Sequence, residues 1–180
     1  AVIECNDDQL HSMMEELRGY FGLDVIEVPL DALASASASR ELHDVDILIS
    51  AGHDEVIARA AALLGKPYII TSVRPALLER LSRLLARGPV YFLVTDPRFG
   101  TKLRRLVAPM ARSENLHVLL TDRDDLSVIP WGAPTYIMRS TLHRFSNRRH
   151  AGREIMPQRI FSRDTSHEIL SRIHAISGTP

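Results

Sequence analysis

The stretch Thr95-Asp96-Pro97-Arg98 closes the apolar run Val90 to Val94 and opens a helical pattern, so a hydroxyl, a carboxylate and a guanidinium meet at one corner. Comparable corners follow other apolar runs: Cys5-Asn6-Asp7, Ser50-Ala51-Gly52-His53, Thr71-Ser72-Val73-Arg74, Thr121-Asp122-Arg123-Asp124 and Arg139-Ser140-Thr141. Serine, threonine and aspartate are the preferred helix N-caps because their oxygens accept from the orphan amides of the first turn, and Asp96 ahead of Pro97 fits that role. Arg74, Arg98 and Arg139 have no such role, since the helix dipole disfavours positive charge at an N-terminus. A guanidinium placed there calls for an anionic ligand or for a carboxylate partner. The candidate ligand contacts are therefore Asn6, His53, Ser72, Arg74, Thr95, Asp96, Arg98, Thr121 and Arg139. Together they form a set of donors suited to a carboxylate or phosphate on a small metabolite.

No catalytic set is expected beside these corners. The single cysteine, Cys5, excludes an internal disulfide and any multi-cysteine metal site. The eight histidines show no ligand spacing; His167 and His174 are a heptad apart, and His53 alone stands at a strand-end corner. No glycine-rich phosphate loop or dinucleotide fingerprint is present. The expectation is binding without a cofactor or a metal. The stretch Glu4-Cys5-Asn6-Asp7 resembles the cysteine corner of two-lobed racemases that act on acidic amino acids, but those enzymes need a second, facing cysteine. A racemase- or decarboxylase-like enzyme using Cys5 is the alternative, and a small buried hydrophobe is the plainer reading of that residue.

The corners are positioned by strand-sized apolar runs alternating with helix-sized amphipathic ones, the pattern of βα units on parallel sheets. Strands are expected at Ala1 to Ile3, Val25 to Val28, Val45 to Ile49, Tyr68 to Ile70, Val90 to Val94, Leu116 to Leu120, Tyr136 to Met138 and Arg159 to Phe161. Leu10, Met13, Met14 and Leu17 mark one face of a first helix, Val56 to Leu64 and Pro75 to Leu85 supply two more, and a last helix runs through Ile169 and Ile176. The stretch Asp31 to Leu42 reads as a weak helix or loop, and Pro109 predicts a kink or early stop in the helix after Pro97. In a parallel sheet the ligand crevice lies at the carboxyl ends of the strands, which is where the corners fall. Val45 to Arg74 and Val90 to Arg123 share one plan, strand, corner, helix and strand, and read as one unit used twice.

The expected fold is α/β, two Rossmann-like βαβ lobes with parallel sheets. Residues 1–73 and 158–180 form lobe one and residues 74–157 lobe two, with the ligand in the crevice between them. The 180 residues hold 45% hydrophobic and 24% charged side chains, with 22 bases against 22 acids. That balance supplies no global pull toward nucleic acid or membrane. No apolar run approaches the ~20 residues of a bilayer span, and no signal segment opens the chain, so a cytoplasmic location without membrane contact is expected. Between Arg139 and Arg163 stand seven arginines and one acid, Glu154, read as a solvated face or as a contact for an acidic surface.

The stretches VDILISAGHDEVIARAAALLGKPYIITSVRPALLERL, TDPRFGTKLRRL, LLTDRDDLSVIPWGAPTYIMRS and RIFSRDTSHEIL resemble, over nearly the whole chain, the C-terminal effector-sensing region of bacterial GntR-type transcriptional regulators. The resemblance implies a bilobal fold like that of periplasmic solute-binding proteins. It also implies a small-molecule effector, a homodimer, and DNA contact through an N-terminal winged helix absent from these residues. The chain begins at Ala1 without methionine, as an excised domain or a processed product would.

Overall fold

The computed structural model describes residues 1–138, 141, 151–155 and 159–177. The chain divides into two compact units: Ala1–Cys5, Met13–Arg74 and Arg159–Pro180 make the first, and Asn6–Ser12 with Pro75–Gln158 make the second. Each is built on a four-stranded, wholly parallel sheet, so the α/β class with two Rossmann-like sheets is observed.

In unit 1 the strands are β1 (Val2–Glu4), β2 (Glu27–Pro29), β3 (Leu48–Ser50) and β4 (Tyr68–Ile70), in the order β2-β1-β3-β4. β1 and β3 are buried throughout, as parallel strands covered on both faces should be. Side chains alternate across the sheet. Ile3, Val28 and Leu48 pack against Ala38 and Leu42 of α2 (Ala36–His43) and against Ile57 and Ala61 of α3 (Asp54–Leu64). The weak helix expected over Asp31 to Leu42 resolves into a 3-10 turn, Leu30–Ala32, and α2, whose N-cap Ser35 accepts from the Ala38 amide. Gly65 ends α3 in the left-handed conformation that glycine adopts without penalty.

Unit 2 repeats the design. Its strands are β5 (Val90–Val94), β6 (Leu116–Leu120), β7 (Pro134–Ile137) and β8 (Arg153–Ile155), in the order β6-β5-β7-β8. Val90, Phe92, Val94, Tyr136 and Ile155 form a core with Leu81 and Leu85 of α4 (Pro75–Leu85) and with Leu103 and Val107 of α5 (Pro97–Val107). The opposite face, Tyr91, Leu93 and Ile137, is covered by Leu126, Ile129 and Ala133. α5 stops at Val107, two residues before Pro109. Two further helices are described, α1 (Asp7–Phe21) and α6 (Arg163–Ser177). Among the described residues no helix is long and apolar enough to cross a membrane.

Two expectations are corrected. Arg159 to Phe161 is not a sheet strand: Phe161 makes one isolated antiparallel bridge to Val73, and the eighth strand is β8, inside the arginine-rich stretch. Ile155 supplies β8 with the buried residue that packs under Tyr136, and Gly152 lets the chain pass Thr135 where a Cβ would lie 2.0 Å from the Thr135 hydroxyl. The repeat is also differently framed. Strand order equates β1 to β4 with β5 to β8, so Val45 to Arg74 is the closing half of one sheet and Val90 to Arg123 the opening half of the other.

Candidate functional site

Both sheets reverse their winding between the first and third strand of the unit, at β1/β3 and at β5/β7. The carboxyl ends flanking such a switch point are where open parallel sheets bind ligands.

In unit 2 the β5 end is sealed by the protein's own carboxylates. Asp8 is completely buried; its Oδ2 accepts from the Thr95 amide at 2.8 Å and the Asp96 amide at 2.9 Å, and its Oδ1 from the Thr95 hydroxyl at 2.8 Å. Asp96 is the N-cap of α5, accepting from the Arg98 amide at 2.8 Å, and it also accepts from the Asp7 amide. Arg98 folds back onto it, Nε and Nη2 donating at 2.7 to 3.1 Å. Burial pushes the Asp96 carboxyl up, but the Arg98 guanidinium and the two amides outweigh it and hold the group below its ordinary range. The hydroxyl and amide of Thr95, the amide of Asp96 and the fork of Arg98 are thus engaged by carboxylates of the chain itself.

In unit 1 the β1 and β3 ends bring a different group together. Glu4 is the last residue of β1; its side chain is wholly buried, and Oε1 accepts from the Cys5 amide at 2.9 Å. Beyond β3, Ser50 donates its buried hydroxyl to the Gly52 carbonyl, and the chain turns through Gly52 at φ 131° and His53 at φ 63° into α3. A left-handed residue that is not glycine is uncommon. The turn carries the His53 ring to Glu4, with Nε2 3.4 Å from Oε1 and the imidazole 31% exposed. One ligand atom each from Glu4, Cys5 and His53 lies within 4.8 Å of the others. The N-cap residue His53 makes no side-chain cap hydrogen bond to α3, and Asp54 and Glu55 occupy the first turn.

No family model, curated protein or solved structure matches the chain. The site therefore rests on its geometry.

The remaining described positions from the sequence reading are engaged within their own units. Asn6 is buried and accepts from the Gln9 amide at the start of α1. Ser72 belongs to a hydroxyl cluster, 2.7 Å from Ser162 Oγ and 3.3 Å from Thr165 Oγ1. The Arg74 amide donates to the Ile160 carbonyl, and its charge acts on Glu16. Glu16 accepts from the Ile160 and Phe161 amides; burial pushes its carboxyl up, against the pull of those amides, Arg159 and Arg74. Thr121 is buried and donates its amide to Val94. Arg139 lies outside the described residues, as do Arg148 and Arg149 of the basic stretch. The reading from residue types overlooked Glu4 and Asp8. Both stand at the β1 corner, and their partners lie 49 and 87 residues along the chain.

Proposed function

We propose that this chain is the effector-sensing domain of a GntR-type transcriptional regulator and reads a small molecule at the carboxyl ends of its parallel strands. In this reading DNA contact belongs to a winged helix outside these residues, and pairing of two copies conveys the signal. The observation that carries the proposal is the half-open His53 ring above the buried Glu4 carboxylate, at the unit 1 switch point. An anionic effector, favoured by the corner chemistry, has its landing point at the N-terminus of α3, whose N-cap residue His53 makes no side-chain cap hydrogen bond. At α5 that place is taken by Asp8 and Asp96. A thermal-shift screen of small carboxylates, phosphates and amino acids, followed by calorimetric titration of a hit, tests the assignment. Affinity should fall about 10-fold or more in His53→Asn, by loss of one charge-assisted contact. It should hold in Arg98→Ala. The reverse pattern would move the site to unit 2.

The enzymatic alternative draws on Cys5, which stands beside Glu4 and His53. Turnover of acidic amino acids or malonate-type acids, abolished in Cys5→Ser, would replace the sensor reading.

A further inference from the structure

We propose that Glu4, Cys5 and His53 form a binding site for a borderline-soft divalent metal ion of the zinc class. The proposal stands on the three ligand atoms and does not need the effector reading. Their chemistry is the first argument. A carboxylate oxygen, a thiol sulfur and an imidazole nitrogen are the ligand types such ions take, and three protein ligands with a fourth position left open is the arrangement of an exchangeable site.

Geometry is the second. With metal–ligand bonds of ~2.0–2.1 Å, the N···O edge of a tetrahedral site is about 3.3 Å. The His53 Nε2 to Glu4 Oε1 separation is 3.4 Å, longer than a good hydrogen bond but matched to that edge. All three ligand atoms lie within 4.8 Å of one another, so one ion is within reach of the set by side-chain adjustment.

Electrostatics is the third. A divalent ion bound by the Glu4 carboxylate and a Cys5 thiolate gives a site of zero net charge with neutral His53, suited to the buried end of β1. Binding requires the Cys5 thiol to give its proton to solvent, so affinity should rise with pH. Residues 4 and 5 come from β1, and residue 53 from the turn after β3. The parallel pairing of Val2 with Ile49 brings them level. No sequence spacing records the site, because the chain between Cys5 and His53 runs through α1, β2, α2 and β3.

The test is titration of the chelator-stripped, reduced chain with cobalt(II), read by absorption, and with zinc(II) against a competing chromophoric chelator. One equivalent should bind, with a thiolate-to-cobalt charge-transfer band and the intense visible bands of a four-coordinate ion. Cys5→Ser should abolish the charge-transfer band, and both it and His53→Asn should weaken zinc binding by about 100-fold or more, beyond the effect of losing a supporting contact. Asparagine is chosen because it tolerates the left-handed backbone at position 53. The same substitution at His117, which stacks on Tyr91 in unit 2, is the control and should change nothing. Binding without the thiolate band, equal affinity in the melt-checked His53→Asn chain, or no uptake at equimolar metal would each overturn the assignment. All readouts are made without metabolite, so failure of the metal site leaves the effector reading standing, and the converse.

Discussion

Replacing Asp8 with alanine should remove a large polar contribution to unit 2. Its carboxylate accepts three hydrogen bonds of 2.8 to 2.9 Å with no exposure to solvent. Hydrogen bonds to a charged group contribute roughly 1.5–3 kcal/mol each, and each buried amide left unpaired costs about 1–3 kcal/mol. These are two views of one loss and do not add. Water entering the vacated space recovers part of it, so the expected destabilisation is about 3–6 kcal/mol. Against a domain stability of ~5–15 kcal/mol this is a large fraction. Thr95→Val, which removes only the hydroxyl contact, should lose about 1–2 kcal/mol. The assay is urea unfolding followed by circular dichroism, paired with hydrogen exchange at the Thr95 and Asp96 amides, which should lose protection in Asp8→Ala. Added acetate or formate should restore part of the melting temperature in Asp8→Ala and leave the wild type unmoved, because the variant exposes two parallel amides and a hydroxyl to an anion. A loss below about 1 kcal/mol with unchanged exchange would refute the reasoning and leave the amides of β5 free for an external ligand.

The buried Tyr136 hydroxyl has no hydrogen-bond partner among the described residues, and burial pushes its pKa up, so Tyr136→Phe should be neutral or raise stability by up to about 1–2 kcal/mol in a thermal melt, with the stack on Phe92 retained. Gly152→Ala would place a Cβ 2.0 Å from the Thr135 hydroxyl and 2.9 Å from Ile129, and should destabilise unit 2 by about 3 kcal/mol or more, measured by the same melt. Two carboxyls set opposite pH dependences. Glu16, raised on folding, contributes stability that is lost as pH climbs from the ordinary glutamate range through its folded pKa; Asp96, lowered on folding, contributes stability that is lost as pH falls below the ordinary aspartate range. Melts between pH 3 and 7 should therefore show the low-pH loss disappear in Asp96→Asn and the loss above pH 4.5 shrink in Glu16→Gln.

Strands and corners were legible because burial imposes a pattern on the residues themselves. Val90 to Val94 reads as a two-sided buried strand, Asp96-Pro97 as a cap, and both are observed. β8 was not legible: of Arg153, Glu154 and Ile155 only the isoleucine is buried, and the signal that admits the strand is a glycine whose missing side chain matters only beside Thr135. The arginine argument identified a real need for negative charge at Arg98, and the sequence offered two ways of meeting it. Asp96, two residues earlier, meets it in the structure. Asp8 and Glu4 escaped because a carboxylate's partner is decided by strand pairing, and local spacing carries no record of a neighbour dozens of residues away.

The first unit is interrupted by the second, and this sets an order of manufacture. On the ribosome β1 to β4 emerge early, but Phe161, which bridges to Val73, and the amides of Ile160 and Phe161 that satisfy Glu16 are translated only after all of β5 to β8. The later sheet has every strand in hand while the earlier one still waits for Ser162 and Thr165 to close over Ser72. Until then Glu16 is a carboxylate without its two amide donors. A released chain truncated before residue 159 should therefore hold a protease-resistant second sheet and a cleavable first one, a polarity opposite to the direction of synthesis.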